Sequence, residues 1–193
     1  MRVVLASKSP RRSEILNMLG LNFEVITADT DETSDIKDPK KLVEELANRK
    51  GSAVAKKLNY NDTLIISADT VVALDDEILG KPIDKNDAYN MLKKLSGRSH
   101  KVVSGVSLYF NGKTITAHEV TEVCFSTLSD EMIENYIATN EPMDKAGAYA
   151  VQGLASVWID KINGCYFNVV GFPTRLFYKM LGEMNIDFQD LIR

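Results

Sequence analysis

The stretch Thr63-Leu64-Ile65-Ile66-Ser67-Ala68 is a continuous run of buriable residues that stops at Asp69. A strand facing water on one side alternates apolar and polar residues. A run without that alternation belongs to a strand covered on both faces, which requires helices above and below a sheet. Helix-patterned segments flank it in the chain. Pro10 to Leu19 carries Ile15, Leu16 and Leu19 on one stripe. Asp38-Pro39 opens a longer helix with Leu42, Leu46, Ala53 and Leu58 on its apolar side, and Asp84 opens another that reaches Leu95. An α/β fold follows.

The later chain modifies that class. Lys101 to Phe110 and Thr114 to Phe125 flank Asn111-Gly112, a strong short-range hairpin signal. Val71 to Leu74 and Glu77 to Leu79 read as a hairpin around Asp75-Asp76. Val157 to Ile162 and Tyr166 to Val170 read as a pair around Asn163-Gly164. Ser129 caps a helix to about Thr139, and a last helix covers Pro173 to Glu183. The sheet is therefore mixed, and one domain over 1–193 with two lobes and a cleft is the simplest organisation.

Function begins at the other end of the chain. The strand-like residues Arg2 to Ala6 run into Ser7-Lys8-Ser9-Pro10-Arg11-Arg12. Ser9 suits a helix cap and Pro10 the first helical position, so backbone amides and the positive end of the helix dipole converge on the loop. Arginines there are unfavourable against the dipole unless an anion compensates them. Arg11 and Arg12 add forked donors that match phosphate oxygens.

Carboxylates supply a second element. Asp69 follows an almost wholly apolar strand, where it is costly unless paired, hydrogen-bonded or metal-bound. Glu32 lies in the acidic stretch Ala28 to Asp38 and by itself reads as a surface acid. Together, Asp69 and Glu32 can hold one Mg²⁺, which takes one or two carboxylates plus phosphate oxygens and water. Lys50, in Asn48-Arg49-Lys50-Gly51, is either a solvated lysine or a phosphate ligand. Lys81 is held between Gly80 and Pro82. Gln152 sits among small residues; its amide suits a base edge such as uracil or thymine, and a tight packed corner explains the segment equally well.

Several classes fall away. The net charge of −4 and the absence of interleaved aromatics and cations argue against nucleic-acid binding. No apolar run approaches a membrane span. The N-terminal residues lack a signal-peptide pattern, so a cytoplasmic protein is expected. Cys124 and Cys165 form no metal-type pair, and His100 and His118 have no ligand spacing.

Six segments in order and at the expected spacing resemble the Maf family: Ser7-Lys8-Ser9-Pro10-Arg11-Arg12, Ala68-Asp69-Thr70-Val71-Val72, Gly80-Lys81-Pro82, Leu95-Ser96-Gly97-Arg98-Ser99-His100, Glu141-Pro142-Met143-Asp144-Lys145-Ala146-Gly147-Ala148-Tyr149 and Val169-Val170-Gly171-Phe172-Pro173. Val151 and Phe172 stand where isoleucine and leucine are common. The resemblance implies a long mixed, twisted sheet flanked by helices with a deep cleft, similar to the inosine triphosphate pyrophosphatases. It implies a nucleoside triphosphate pyrophosphatase that yields a monophosphate and pyrophosphate, a homodimer, and a role in septum formation. Arg11, Thr70 and Gln152 match the positions of the dTTP/UTP subgroup. The expected catalytic set is Asp69, Glu32, Lys50 and Lys81, with Mg²⁺ or Mn²⁺ on Glu32 and Asp69. Ser7, Ser9, Arg11, Arg12, Thr70 and Gln152 are the expected substrate contacts. The competing expectation is a nucleotide-sensing division regulator without catalysis.

Overall fold

The apolar run at 63–68 is the first half of a longer strand. The computed structural model describes residues 1–58 and 62–192, and in it β3 spans Thr63–Leu74 without a break at Asp69. The apolar pattern alone predicts an end at Asp69-Thr70. The ladder continues because Val71 and Val72 favour extended backbone and because the segment after Asp69 has its own partner. That partner is β4, Glu77–Leu79, antiparallel with Val72 opposite Leu79 and Leu74 opposite Glu77.

Among the described residues the sheet has seven strands. β1 (Arg2–Leu5) lies parallel to β3, with Val3 opposite Leu64 and Leu5 opposite Ile66, and parallel to the short β2 (Glu24–Val25). β5 (Ser99–Phe110) and β6 (Lys113–Phe125) meet at Asn111-Gly112, where φ is positive at both residues as a tight hairpin demands. β7 (Ile159–Asn163) pairs antiparallel with β6. The order is β2-β1-β3-β5-β6-β7, with β4 on β3. Parallel and antiparallel pairs occur together, as the mixed α/β reading requires.

Two compact units divide the chain. One comprises Met1–Asp69, Ser104–Glu119 and Gly171–Arg193; the other comprises Thr70–Val103 and Val120–Val170. In the first, α1 (Pro10–Met18), α2 (Pro39–Lys57) and α6 (Thr174–Glu183) are the helices, and Val4, Val54, Ile65 and Tyr109 share a buried cluster. In the second, α3 (Lys85–Leu95) and α4 (Asp130–Ala138) surround a core that includes Leu92, Leu95, Phe125, Ile133 and Trp158.

The capping signals are realised where they are local. Asp38 accepts from the Lys40 and Lys41 amides, Asp84 from Asp87, and Ser129 from Met132. Two readings change. The buried side of α2 is Val43, Leu46, Ala47, Gly51, Val54 and Ala55, so the stripe is turned by about one residue from Leu42 and Ala53. Tyr166–Val170 is a short helix, α5, and no strand. Its aromatic and β-branched residues favour a strand locally, but Gly164 breaks extension at φ +132°. Asn168 is fully buried and spends its amide on Val102 O and Thr121 Oγ1, both at 3.0 Å. Among the described residues, no helix is long and apolar enough to cross a membrane.

Candidate active site

Every second residue of a strand faces the same way, so Ser67 and Asp69 share a face of β3. The Ser67 hydroxyl donates to Ala47 O of α2 at 2.7 Å. One helical turn beyond Ala47 are Lys50 and Gly51. A turn of helix rises about 5.4 Å and two strand residues about 6.6 Å, so a contact between Ala47 and Ser67 brings Lys50 opposite Asp69. Lys50 Nζ donates to Asp69 Oδ1 at 2.6 Å and lies 3.1 Å from Glu32 Oε1. The lysine is 16% exposed, Asp69 11% and Glu32 60%. The solvated-lysine reading of Lys50 is thereby replaced: it stands on the sheet-facing side of α2. Gly51 permits this closeness, since a Cβ there would lie 2.4 Å from Tyr109 Cε2 and 2.6 Å from Ser67 Oγ.

The residue that positions Glu32 escaped the sequence reading. Arg49 Nη1 donates to the carbonyls of Asp31 and Thr33, one on each side of Glu32, the latter at 3.0 Å. Its other terminal nitrogen pairs with Glu45, and Glu45 also accepts from the Ser34 hydroxyl at 2.8 Å. The Thr33 amide and hydroxyl hold the Asp31 carboxyl below its ordinary range. One arginine thus fastens the acidic loop to α2, and the next residue, Lys50, reaches the carboxylates. The only sequence signal was that Arg49 neighbours Lys50.

The Ser7–Arg12 loop is built around Arg12. Arg12 is buried; its Nε donates to Gly171 O at 3.0 Å and its Nη1 to Ser7 Oγ at 2.9 Å. Ser7 Oγ also accepts the Ser9 amide at 3.2 Å. Burial lowers the Arg12 pKa; the Asp69 carboxylate counters this most, Arg11 adds to the lowering, and Glu32 opposes it. One expectation is corrected. Ser9 occupies the cap position with Pro10 after it, but its hydroxyl makes no cap bond; its own amide donates to Ser7 Oγ. Arg12 is a brace as well as a cation, because burial obliges it to find partners within the protein. Arg11 is half-buried beside it.

Thr70, Lys81 and Gln152 belong to the second unit. Thr70 is half-buried in β3, while Lys81 and Gln152 are exposed. The backbone at Lys81 is tied down by the Gly147 amide, which donates to Gly80 O at 3.0 Å. Both histidines lie in strands, His100 in β5 and His118 in β6. His118 pairs with Glu44, and His100 is buried against Tyr149 Oη at 2.7 Å.

A family model described as Maf-like protein matches residues 2–184. The chain belongs to the Maf family. Among curated Maf relatives, a dTTP/UTP pyrophosphatase of Thermosipho africanus is 49% identical over 95% of this chain and 93% of its own length. Those of Desulforamulus reducens and Clostridium novyi are 51% and 46% identical, over 89% and 97% of this chain and 90% and 100% of their own lengths. The solved Staphylococcus aureus Ham1 protein matches 65% of this chain and 72% of its own at 20% identity and a TM-score of 0.48.

The Maf site also bears on the expected metal. Among the described residues no three His, Cys, Asp or Glu side chains gather as a closed cage. Two carboxylates nevertheless converge on a single cation, the Lys50 ammonium. Two hard oxygen donors and an otherwise open sphere fit Mg²⁺ or Mn²⁺, whose remaining positions go to water and phosphate oxygens.

Proposed function

We propose that this Maf protein is a nucleoside triphosphate pyrophosphatase acting on dTTP and UTP, modified pyrimidine nucleotides included. The observation that carries the chemistry is the bridge from Asp69 through Lys50 to Glu32. A buried carboxylate held by a lysine, on a strand beside a cation-rich loop, can orient a water and accept its proton. Water adds across the anhydride between the α- and β-phosphates, the Asp69 carboxylate takes the proton, and the products are the monophosphate and pyrophosphate. Arg11, Lys50 and Lys81 offset the charge of the phosphate chain, and Arg12 holds the loop in shape while adding its own charge. Glu32 and Asp69 would hold a divalent cation, which when bound neutralises phosphate oxygens.

Base choice rests on Gln152 and Thr70. The names of the curated relatives support a pyrimidine substrate. A part in restraining septum formation belongs to the same proposal and would act through nucleotide hydrolysis. A pure nucleotide sensor has no use for the carboxylate pair, which is why the enzymatic reading is preferred.

The test is pyrophosphate release from a panel of nucleoside triphosphates with Mg²⁺ or Mn²⁺. Release from dTTP and UTP is expected, falling about 100-fold or more in Asp69→Asn. Near-normal turnover in folded Asp69→Asn removes Asp69 from this role. Binding without release from any nucleotide returns the sensor reading.

A further inference from the structure

Gln152 precedes a short 3-10 turn at Leu154–Trp158 and has no strand or helix of its own to hold it. Two side chains supply the support, one on each side. The Ala150 amide donates to Tyr136 Oη at 3.3 Å. The same hydroxyl donates to Glu141 Oε1 at 3.0 Å. The Glu141 carboxylate in turn accepts the Leu154 amide, at 3.1 and 3.3 Å to its two oxygens. The backbone two residues before Gln152 and two residues after it is therefore tied to one hydrogen-bonded pair.

Packing repeats the arrangement. Gly153 has an extended backbone that any residue could adopt, so its conformation does not call for glycine. Space does: a Cβ there would sit 2.2 Å from Glu141 Oε1. The carboxylate fills the volume a side chain would take. Tyr136 is buried, and its ring meets Trp158 edge-on at 4.9 Å, so the clamp is anchored to the end of the turn it holds. Burial, and after it the hydrogen bond and charge of Glu141, raises the Tyr136 pKa and keeps the phenol a donor.

We propose that Tyr136 and Glu141 are positioning residues for base discrimination: they fix the segment 150–154 so that the Gln152 amide meets the nucleobase in one orientation. The proposal rests on the reading of Gln152 as the base contact. An amide both donates and accepts, so it discriminates only when its backbone is held; a loose segment lets it adapt to the wrong base. Neither positioning residue takes part in phosphate chemistry.

The experiment compares Glu141→Ala, Glu141→Gln, Tyr136→Phe, Gln152→Ala and the double variant Glu141→Ala/Gln152→Ala. Three quantities are read: the ratio of kcat/KM for UTP to that for GTP, inhibition by pyrophosphate, and amide hydrogen exchange over 150–154. Tyr136→Phe keeps the ring on Trp158 and removes only the hydroxyl, so it reports even if Glu141→Ala folds poorly. The ratio should fall about tenfold in Glu141→Ala and Gln152→Ala, with no further fall in the double variant. Tyr136→Phe should fall part-way, and Glu141→Gln, which retains an acceptor oxygen, should recover most of the ratio. Exchange at 150–154 should quicken in Glu141→Ala and Tyr136→Phe, with pyrophosphate inhibition within about twofold of the parent. A ratio that moves in Gln152→Ala but not in Glu141→Ala or Tyr136→Phe overturns the clamp and leaves Gln152 as the base contact. A ratio unmoved in all of them overturns the base-contact reading, and the clamp with it. Equal losses on UTP, GTP and pyrophosphate also overturn the proposal, because they describe general damage.

Discussion

Gly51→Ala sets two opposing quantities against each other at the candidate site. Gly51 is inside α2, where alanine is favoured over glycine by about 1 kcal/mol. Against this, the new Cβ would stand 2.4 and 2.9 Å from Tyr109 Cε2 and Cδ2 and 2.6 Å from Ser67 Oγ. Carbon contacts settle near 3.5–4.0 Å, so α2 must retreat by about 1 Å or the neighbours must move. The neighbours are held: Tyr109 Oη donates to Asn48 O at 2.7 Å, and Ser67 Oγ bonds Ala47 O and Ser107 O. Overpacking of this kind costs about 1–3 kcal/mol, leaving a net loss of up to about 2 kcal/mol. For a chain of this size that lowers the thermal midpoint by up to about 8 °C.

The larger effect falls on Lys50, one residue away. A retreat of α2 stretches the 2.6 Å contact between Lys50 and Asp69 beyond hydrogen-bond range. Misplacing a catalytic group by about 1 Å costs on the order of 100-fold in rate. Pyrophosphate release by Gly51→Ala is therefore expected to fall by about 10- to 100-fold. Gly182→Ala is the control: Gly182 lies in α6 and a Cβ there meets nothing within 4 Å, so it should be neutral or slightly stabilising and fully active. If Gly51→Ala behaves like Gly182→Ala in both melting and turnover, the close-approach argument is wrong.

Two further outcomes separate brace from ligand and test a buried imidazole. Arg12→Ala should destabilise the nucleotide-free protein by about 3 kcal/mol, since it leaves Gly171 O and Ser7 Oγ without this donor; an unchanged thermal midpoint would refute the bracing role. Burial lowers His100 to a pKa of about 4, so the unfolded chain binds its proton near pH 6.5 and the folded one only near pH 4. Stability should thus decline by up to about 3 kcal/mol as pH falls through that window and be fully present above it. Chemical denaturation of His100→Gln, which keeps a polar partner for Tyr149, should lack this limb; an unchanged acid slope would show that other groups supply it.

Local chemistry in the chain determined a good deal. Caps at Asp38, Asp84 and Ser129, the Asn111-Gly112 hairpin and the strand-to-helix loop at Ser7 to Arg12 depend on neighbours within a few residues, so they are legible without the fold. The candidate set Glu32, Lys50 and Asp69 was also nameable, because cations and carboxylates at the ends of apolar runs need partners. What the tertiary structure decided is long-range. β3 continues through Asp69 because Lys50 satisfies the carboxylate and β4 extends the ladder. α2 is turned by about one residue, with Gly51 at the close contact against Tyr109 and Ser67 where a Cβ would not fit. Tyr166–Val170 is helical because a buried Asn168 must reach Val102 and Thr121. Arg49 and the Tyr136–Glu141 pair carry no local signature, since what they hold is backbone 13 to 18 residues away, and only the folded chain brings that backbone within hydrogen-bond reach.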